Sequence, residues 1–585
     1  MKTLTVIALL LTAIGAIAQQ PRKSITDTVF QLEPAYVKAK TKKVELMGMD
    51  IPLRFVPITV TQLSSETLER KGITELSDAI KFMPGITENS SQYGAFQQFS
   101  IRGQGSAVVM IDGIRDERTV GNNVPYGDLS SAETVELLKG PASVLAGHSA
   151  MGGVLNIVRK KAVPTFSANA RLSYGSWQDK QATLGFGGRL AGPVDYRINL
   201  HYATGDGFRN IYTDRFSGFA ALGANIGKKG RLDFTTGFAD DDYRTDIGGA
   251  PVMPGDIYLT ADDSPYAKSG ERHPEADYRT NYNDYANNYM HRRVWDMSVQ
   301  YTHQFSDWMK LRERFTYSHS DLNYHCIEGL SYLTSDDPIY DWYYVSKGQK
   351  KYINLDTVRR GNWKGLNPLN FNPDHQNTNN VLELTGELVT GTVKNHYTLG
   401  WALSFFDMKQ YNGYTVSGDN VDLWGPGLDV LLPVRNPQTV QGWWDTKVSA
   451  VSLRTELTNG IYLHDVLELN DAWKIMLAGR MEFFKQDRAS GKVDGKQEYK
   501  PENRTSDWVT KKQKAFTYRA GFVYQPLSKF SVYGSMASFF NPITSYSYRS
   551  TTMYLDRNGK EFNPDEESMF DPEKGWSAEA GIRYT

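Results

Sequence analysis

From about Ser167 onward, single residues alternate between apolar and polar, and nothing else in the chain limits its folding so strongly. Ala168, Ala170, Leu172 and Tyr174 stand between Ser167, Asn169, Arg171 and Ser173. Tyr196, Ile198, Leu200 and Tyr202 alternate with Arg197, Asn199 and His201. Tyr397, Leu399, Trp401, Leu403 and Phe405 run beside His396, Thr398 and Ser404, and Ile475, Leu477, Met481 and Phe483 oppose Arg480 and Glu482. A strand places successive side chains on opposite faces. Each segment therefore has one apolar face tipped with aromatics and one face that carries charge. A strand crossing a membrane in a barrel needs about 9–11 residues, and these runs reach that length. Soluble sandwiches alternate in the same way over shorter strands.

The connections separate these two readings. Tight polar turns at Gly192–Asp195, Lys228–Gly230, Ser306–Asp307, Gly391–Asn395 and Pro526–Lys529 alternate with long connections at about 242–291, 321–376, 410–447, 487–513 and 541–576. Short turns on one side and long loops on the other are typical of barrels in an outer membrane. Soluble domains seldom carry structureless loops of that length. Roughly fourteen strands are expected, an even number as such barrels have. The 34 Tyr, 26 Phe, 12 Trp and 51 Gly agree, as does a mean hydropathy of −0.48, because such strands commit only every second residue to lipid.

The N-terminus addresses export. Met1-Lys2, an apolar run from Leu4 to Ile17 and the small-residue triplet Ala16-Ile17-Ala18 form a secretory signal peptide over residues 1–18. The run is shorter than the roughly 20 residues a spanning helix needs, and no longer apolar run follows. The 65 basic and 66 acidic side chains leave a net charge of −1, which gives no reason to expect nucleic acid as a partner. Cys326 is alone, so no intramolecular disulfide can form. His319, His325 and Cys326 match no standard metal-ligand spacing, and neither a metal nor a resident cofactor is expected.

Residues 49–164 differ in kind. Ser64–Glu69 and Glu75–Phe82 read as two short amphipathic helices, the second stopped by Pro84-Gly85. Short strands follow at Phe99–Gly103, Val108–Gly113, Val135–Gly140 and Gly153–Val158. This is a small α+β domain, with a boundary to the β region near Pro164.

The ordered motifs of this domain carry a resemblance. Val56–Thr61, Leu76–Ile80 and Pro84-Gly85-Ile86 look like the start of the plug of TonB-dependent receptors. Phe99-Ser100-Ile101-Arg102-Gly103 resembles the plug's Ile-Arg-Gly motif, and Val109–Gly113 the strand after it, which ends in Asp-Gly. Val135–Leu145 and Met151–Val158 resemble the two blocks that close the plug. Ala146-Gly147-His148-Ser149 departs from the usual Tyr-Gly pair, a change that bears on the detail of a turn. Asp571–Tyr584 resembles an internal barrel strand of siderophore receptors of the ferrichrome type.

The resemblance implies a β fold: a transmembrane antiparallel β-barrel, 22-stranded in the family, with an N-terminal α+β plug inside its lumen. It implies residues 1–18 as signal peptide, 19–48 as periplasmic linker, 49–164 as plug and 165–585 as barrel. Since about fourteen strands are present where the family has 22, the barrel is expected to be incomplete at its C-terminus. Plugged lumens belong to the larger size, and an open sheet in lipid exposes unpaired backbone groups. A complete smaller barrel is the alternative.

The function implied is active import of a ferric siderophore across the outer membrane of a Gram-negative bacterium, with haem, cobalamin or another metal chelate as alternatives. Energy would come from TonB, working with ExbB and ExbD, through an extended segment that adds a strand to TonB. Glu33, Pro34, Ala35, Tyr36, Val37, Lys38 and Ala39 match that TonB box best, with Thr28–Leu32 as a neighbouring candidate. By motif position Arg102 and Lys139 are plug cations, Glu136 belongs to the same plug–barrel electrostatics, and Glu579 is a barrel partner. Parity agrees for Glu579: Trp576, Ala578, Ala580 and Ile582 form the lipid face, so Glu579 faces the lumen. Tyr93, Phe96 and Gln97, in a loop before the Ile-Arg-Gly strand, and Tyr126 are candidate ligand contacts, since rings and amides suit a bulky chelate. A monomer in outer-membrane lipid is expected, not an enzyme: no nucleophile motif is present. A structural or adhesion barrel would have no use for a TonB box.

Overall fold

In the computed structural model the described residues are 51–92, 96–104, 107–116, 128–209, 211–244, 268–271, 279, 289–331, 334–335, 342–346, 349–353, 362–413, 415–416, 424–425, 429–433, 446–495, 498–542, 554–555, 561–562 and 572–584. The signal-peptide and linker segments, residues 1–48, lie outside them.

The plug opens with β1 (Thr59–Ser64) and α1 (Ser65–Lys71). Ser64 caps α1 by accepting a hydrogen bond from the Thr67 N–H at 3.3 Å, and Gly72, at φ 71°, ends it in the left-handed conformation. There follow α2 (Leu76–Ile80), β2 (Ile86–Gln92), β3 (Phe96–Ile101), β4 (Val108–Ile111), β5 (Ile114–Arg115), β6 (Ala132–Lys139), α3 (Ser143–Ala146) and β7 (Gly153–Arg159). Five strands make one sheet in the order β1-β6-β7-β4-β5, with β4 and β7 parallel. The segment read as a loop before the Ile-Arg-Gly strand is instead the end of a hairpin, with β2 paired to β3.

The plug sheet is buried on both faces, which explains its near-continuous apolar runs. Val109, Val135, Leu137, Leu155 and Ile157 pack under Leu68, Leu76 and Ile80 of the helices. Their neighbours Val108, Met110, Leu138 and Val154 face the other way, in a cluster with Val466, Met476 and Ala478 of the barrel wall.

Fourteen long strands follow among the described residues: β8 (Ser167–Tyr174), β9 (Lys180–Ala191), β10 (Val194–Gly205), β11 (Thr213–Ile226), β12 (Gly230–Tyr243), β13 (Tyr289–Ser306), β14 (Met309–Ser331), β15 (Asn362–Thr390), β16 (Val393–Gly413), β17 (Ala450–Glu468), β18 (Trp473–Lys492), β19 (Val509–Leu527), β20 (Phe530–Asn541) and β21 (Glu573–Tyr584). From β10 to β21 each pairs antiparallel with the next, and β8 pairs with β9. Left-handed glycines such as Gly192 (φ 51°) and Gly391 (φ 65°) sit in the tight turns, where hairpins demand that conformation.

The burial pattern is inverted relative to a soluble sheet. Leu477, Ile461, Phe516 and Ile582 are 51%, 56%, 65% and 70% exposed on the outer face. On the inner face Asn199, Arg480, Glu482 and Arg519 are buried. Apolar side chains displayed outward over charged ones packed inward identify a lipid-facing wall. No helix among the described residues is long and apolar enough to cross a membrane; strands do the crossing.

One expectation changes. Much of the connection read at 321–376 is strand: β14 has 23 residues and β15 has 29. At about 3.3 Å per residue, β15 reaches roughly 95 Å, far beyond a hydrocarbon core of about 30 Å. Ladder pairing continues above the membrane, where no lipid requires apolar alternation.

Candidate functional site

The plug meets the wall through polar contacts at several places. The first gathers at Glu579, on the inner face of β21. Arg102 and Gly103 follow β3 in left-handed conformations (φ 54° and 73°), and this turn sends the Arg102 guanidinium outward. Its Nη1 lies 3.1 Å from Glu579 Oε2. The same carboxylate accepts from Thr59 N (3.4 Å) and Thr59 Oγ1 (3.3 Å), and Thr59 Oγ1 is 2.7 Å from Tyr533 Oη. Arg583 donates to the carbonyls of Leu53 (3.0 Å) and Ile58, and Arg519 to that of Pro141. Lys139 stands opposite Thr59 in the sheet. Burial pushes its ammonium pKa down, the Arg102 charge pushes it further, and Glu579 offsets part of this. The Lys139 ammonium makes no hydrogen bond or ion pair among the described residues.

The second place centres on Arg159, at the end of β7. Asp112, in a left-handed turn (φ 53°), accepts from Arg159 N (2.7 Å) and Nε (2.8 Å). Arg159 Nη1 reaches across to Asp296 of β13 at 2.6 Å. Arg314 of β14 donates to the Asp112 carbonyl. Burial pushes the Asp112 carboxyl up. The Arg159 charge and hydrogen bonds, with Arg314 beyond, outweigh this and hold it below the usual aspartate range.

The third place lies on β11 to β13. Arg215 donates to Glu75 of the plug (2.9 Å) and to Asp241 (3.0 Å), which also receives Arg292 Nε at 2.9 Å. Ser217 Oγ donates to Asp128 of the plug at 2.7 Å. Between the Asp112–Arg115 turn and the wall a cavity of about 80 Å³ remains, lined by Arg314, Glu383, Tyr462 and Arg480. Its lining mixes these charged groups with Met110, Ile114 and Leu145, and it has room for a few waters.

The structure thus brings Arg102 and Glu579 together and leaves the Lys139 ammonium beside them without a bond. Glu136 lies in the plug sheet. It is 2% exposed and accepts from Gln62 (2.9 Å) and Asn156 (3.0 Å), both plug residues. Facing neighbouring strands, it ties β1, β6 and β7 together within the plug sheet. Asp112, Arg159, Asp296 and Arg215 were not singled out from sequence. The Asp-Gly turn was visible, but partners 137 residues apart, as Arg159 and Asp296 are, carry no local signal. Glu33–Ala39, Thr28–Leu32, Tyr93 and Tyr126 lie outside the described residues, as do the side chains of Phe96, Gln97 and Cys326. His319 lies 2.8 Å from Asp374.

This architecture, a small α+β domain seated by buried charge against the inner face of an inside-out β wall, defines a plugged outer-membrane receptor. Family models agree: the TonB-dependent receptor plug domain matches residues 52–154, and the TonB-dependent receptor-like β-barrel matches residues 226–585. The chain belongs to the TonB-dependent receptor family, transport receptors of the Gram-negative outer membrane.

An iron-regulated outer membrane virulence protein of Vibrio cholerae is 31% identical over 166 residues, 26% of this chain and 25% of the relative. The ferrichrome outer membrane transporter/phage receptor of Escherichia coli K12 is 23% identical over 569 residues, 92% of this chain and 65% of the relative. Among solved structures, the closed form of the ferric-catecholate import receptor Fiu of E. coli K12 superposes with a TM-score of 0.72 at 17% identity, covering 93% of this chain and 73% of that one. The chain spans less than two thirds of the length of the curated relatives it matches.

Proposed function

We propose that the protein imports a ferric siderophore across the outer membrane in a TonB-dependent manner. The observation that carries this reading is how the plug is held. Its contacts with the wall are mostly discrete charge-assisted hydrogen bonds beside a small cavity, joined by apolar patches at Val466, Met476 and Ala478 and at Phe219 and Ala221. Such contacts hold a plug in register, yet they can be exchanged for water when the plug is pulled, at a lower cost than exposing a continuous apolar seam. The names of the relatives, a ferrichrome transporter and siderophore receptors, point to an iron chelate as cargo. Haem, cobalamin and other metal chelates belong in the test.

In this reading residues 33–39 form the strand that TonB captures, with ExbB and ExbD supplying energy from the inner membrane. The iron chelate is cargo, and neither a resident cofactor nor a catalytic group takes part. The receptor works as a monomer. Its test is a titration of the purified protein with hydroxamate, catecholate and citrate iron chelates, haem and cobalamin, followed by tryptophan fluorescence. Saturable quenching at or below micromolar concentration by one ferric chelate, and not by its iron-free form, supports the reading. Binding of haem or cobalamin alone moves the substrate class, and saturation by none removes the proposal.

A further inference from the structure

The departure Ala146-Gly147-His148-Ser149 is more than a detail of a turn. α3 is a single turn, and Gly147 leaves it at φ 80°. A Cβ on Gly147 would lie 2.7 Å from Glu482 Oε2, so glycine is needed both for its conformation and for the approach of this carboxylate. Glu482 stands on the inner face of β18. Its Oε1 accepts from the backbone N–H of His148 at 3.0 Å and lies 2.8 Å from His148 Nδ1. Its Oε2 accepts from Arg480 Nε at 2.7 Å.

His148 and Glu482 are 4% and 3% exposed, and the imidazole meets Phe484 edge-on at 5.0 Å between centroids. The neighbours are tied as well. Arg115 donates to the His148 carbonyl. Ser149 N donates to the Phe540 carbonyl at 2.7 Å, and Ser149 Oγ to Asn541 at 2.7 Å.

We propose that His148 is a positioning residue that seats plug segment 141–149 on the barrel wall through Glu482 and Arg480, as a lock separate from the Arg102–Glu579 contact. The chemistry is specific. A carboxylate only accepts, so Nδ1 carries the proton and donates. β18 and β21 are separated by β19 and β20. By register Glu482 is level with Glu573, six residues along β21 from Glu579, so three strand spacings of about 4.8 Å and about 20 Å of strand put the two locks roughly 25 Å apart on the wall. With the Arg159–Asp296 and Arg215–Glu75 contacts elsewhere on the wall, the His148 lock adds a separate point of attachment that holds segment 141–149 in place. The lock matters to transport only if the import reading holds, because only then must the plug be displaced in use. Its geometry stands independently.

The test is hydrogen exchange on the detergent-solubilised full chain, which needs no ligand. His148→Ala is expected to speed exchange of the Gly147–Ser149 amides about tenfold or more, the range that loss of a charge-assisted bond gives. Glu482→Ala should do at least as much. Asn places an amide nitrogen where Nδ1 lies, so His148→Asn should stay within about threefold of the parent. Gln reaches one bond too far, so His148→Gln should behave like alanine. Amides of α1, remote from the lock, should not change. Unchanged exchange in His148→Ala, equal rescue by Asn and Gln, or equal acceleration in α1 overturns the proposal. If His148→Ala does not accumulate, the Asn–Gln contrast decides. A protein that binds no chelate but shows this pattern keeps the lock and loses the import reading; the reverse result separates them the other way.

Discussion

Arg159 should hold the plug more firmly than Arg102, although sequence motifs point to Arg102. The Arg159 side chain is 11% exposed and bridges Asp112 of the plug and Asp296 of the barrel, at 2.8 and 2.6 Å. Arg159→Ala removes the guanidinium that bridges two carboxylates, 24% and 20% exposed, leaving Asp112 the backbone N–H of residue 159 and the more distant Arg314 charge. Removing one partner of a buried pair costs about 3–5 kcal/mol, and the partial exposure of both acids favours the lower figure. Arg102 is 38% exposed, so water screens its pair, and Glu579 keeps its bonds to Thr59. Arg102→Ala should therefore cost about 1 kcal/mol. With a urea dependence of about 2 kcal/mol per M, the midpoint for plug release should fall by about 1.5 M for Arg159→Ala and about 0.5 M for Arg102→Ala. Proteolysis of the plug across a urea titration in detergent micelles reads both, provided the barrel itself stays folded. A shift for Arg102→Ala equal to or larger than that for Arg159→Ala refutes the reasoning.

Further expectations follow from single residues. Asp112 has a pKa held below its unfolded value of about 3.9. Its contribution is therefore full above that value and lost as pH falls through the folded value. The urea midpoint of the plug should drop on acidification from pH 5 to pH 3, and Asp112→Asn should flatten that drop. Lys139 has a lowered pKa, so the plug disfavours its charge. Lys139→Met should leave the midpoint unchanged or raise it, and a clear fall would show an unseen partner. On the outer wall, Leu477→Arg should cost about 2–4 kcal/mol of barrel stability in a lipid-vesicle unfolding titration, the range for a cation near the bilayer midplane. Ser64→Ala removes the α1 cap and should cost about 1 kcal/mol of plug stability.

The sequence made the wall legible because lipid imposes a rule on every second residue. Leu477 and Phe483 had to face out, so Arg480 and Glu482 had to face in. The same parity put Glu579 on the lumen side. The plug strands were visible as apolar runs, and the small helices through Ser64 and Pro84-Gly85. The rule stops where the lipid stops. Above the membrane β15 continues through Asn370, Asn372 and Asp374 with no apolar alternation to mark it, so strand there reads as loop. The site was legible only in part. Parity shows that a charge faces the lumen and says nothing of which charge it meets. His148 and Glu482 are 334 residues apart, and only the fold joins them. The bonds from Gln62 and Asn156 to Glu136 join neighbouring strands of the plug sheet, pairings that no spacing in the sequence announces.

Energised import is tested by uptake. Cells expressing the protein would be given radiolabelled iron as the chelate that binds best, with and without deletion of Ala35–Ala39, the barrel level being checked in each. Uptake by the parent should be lost on deletion and lost in cells without TonB. Uptake that survives the deletion and the loss of TonB would contradict it, leaving a passive pore; a bound chelate that never enters would leave a surface binder.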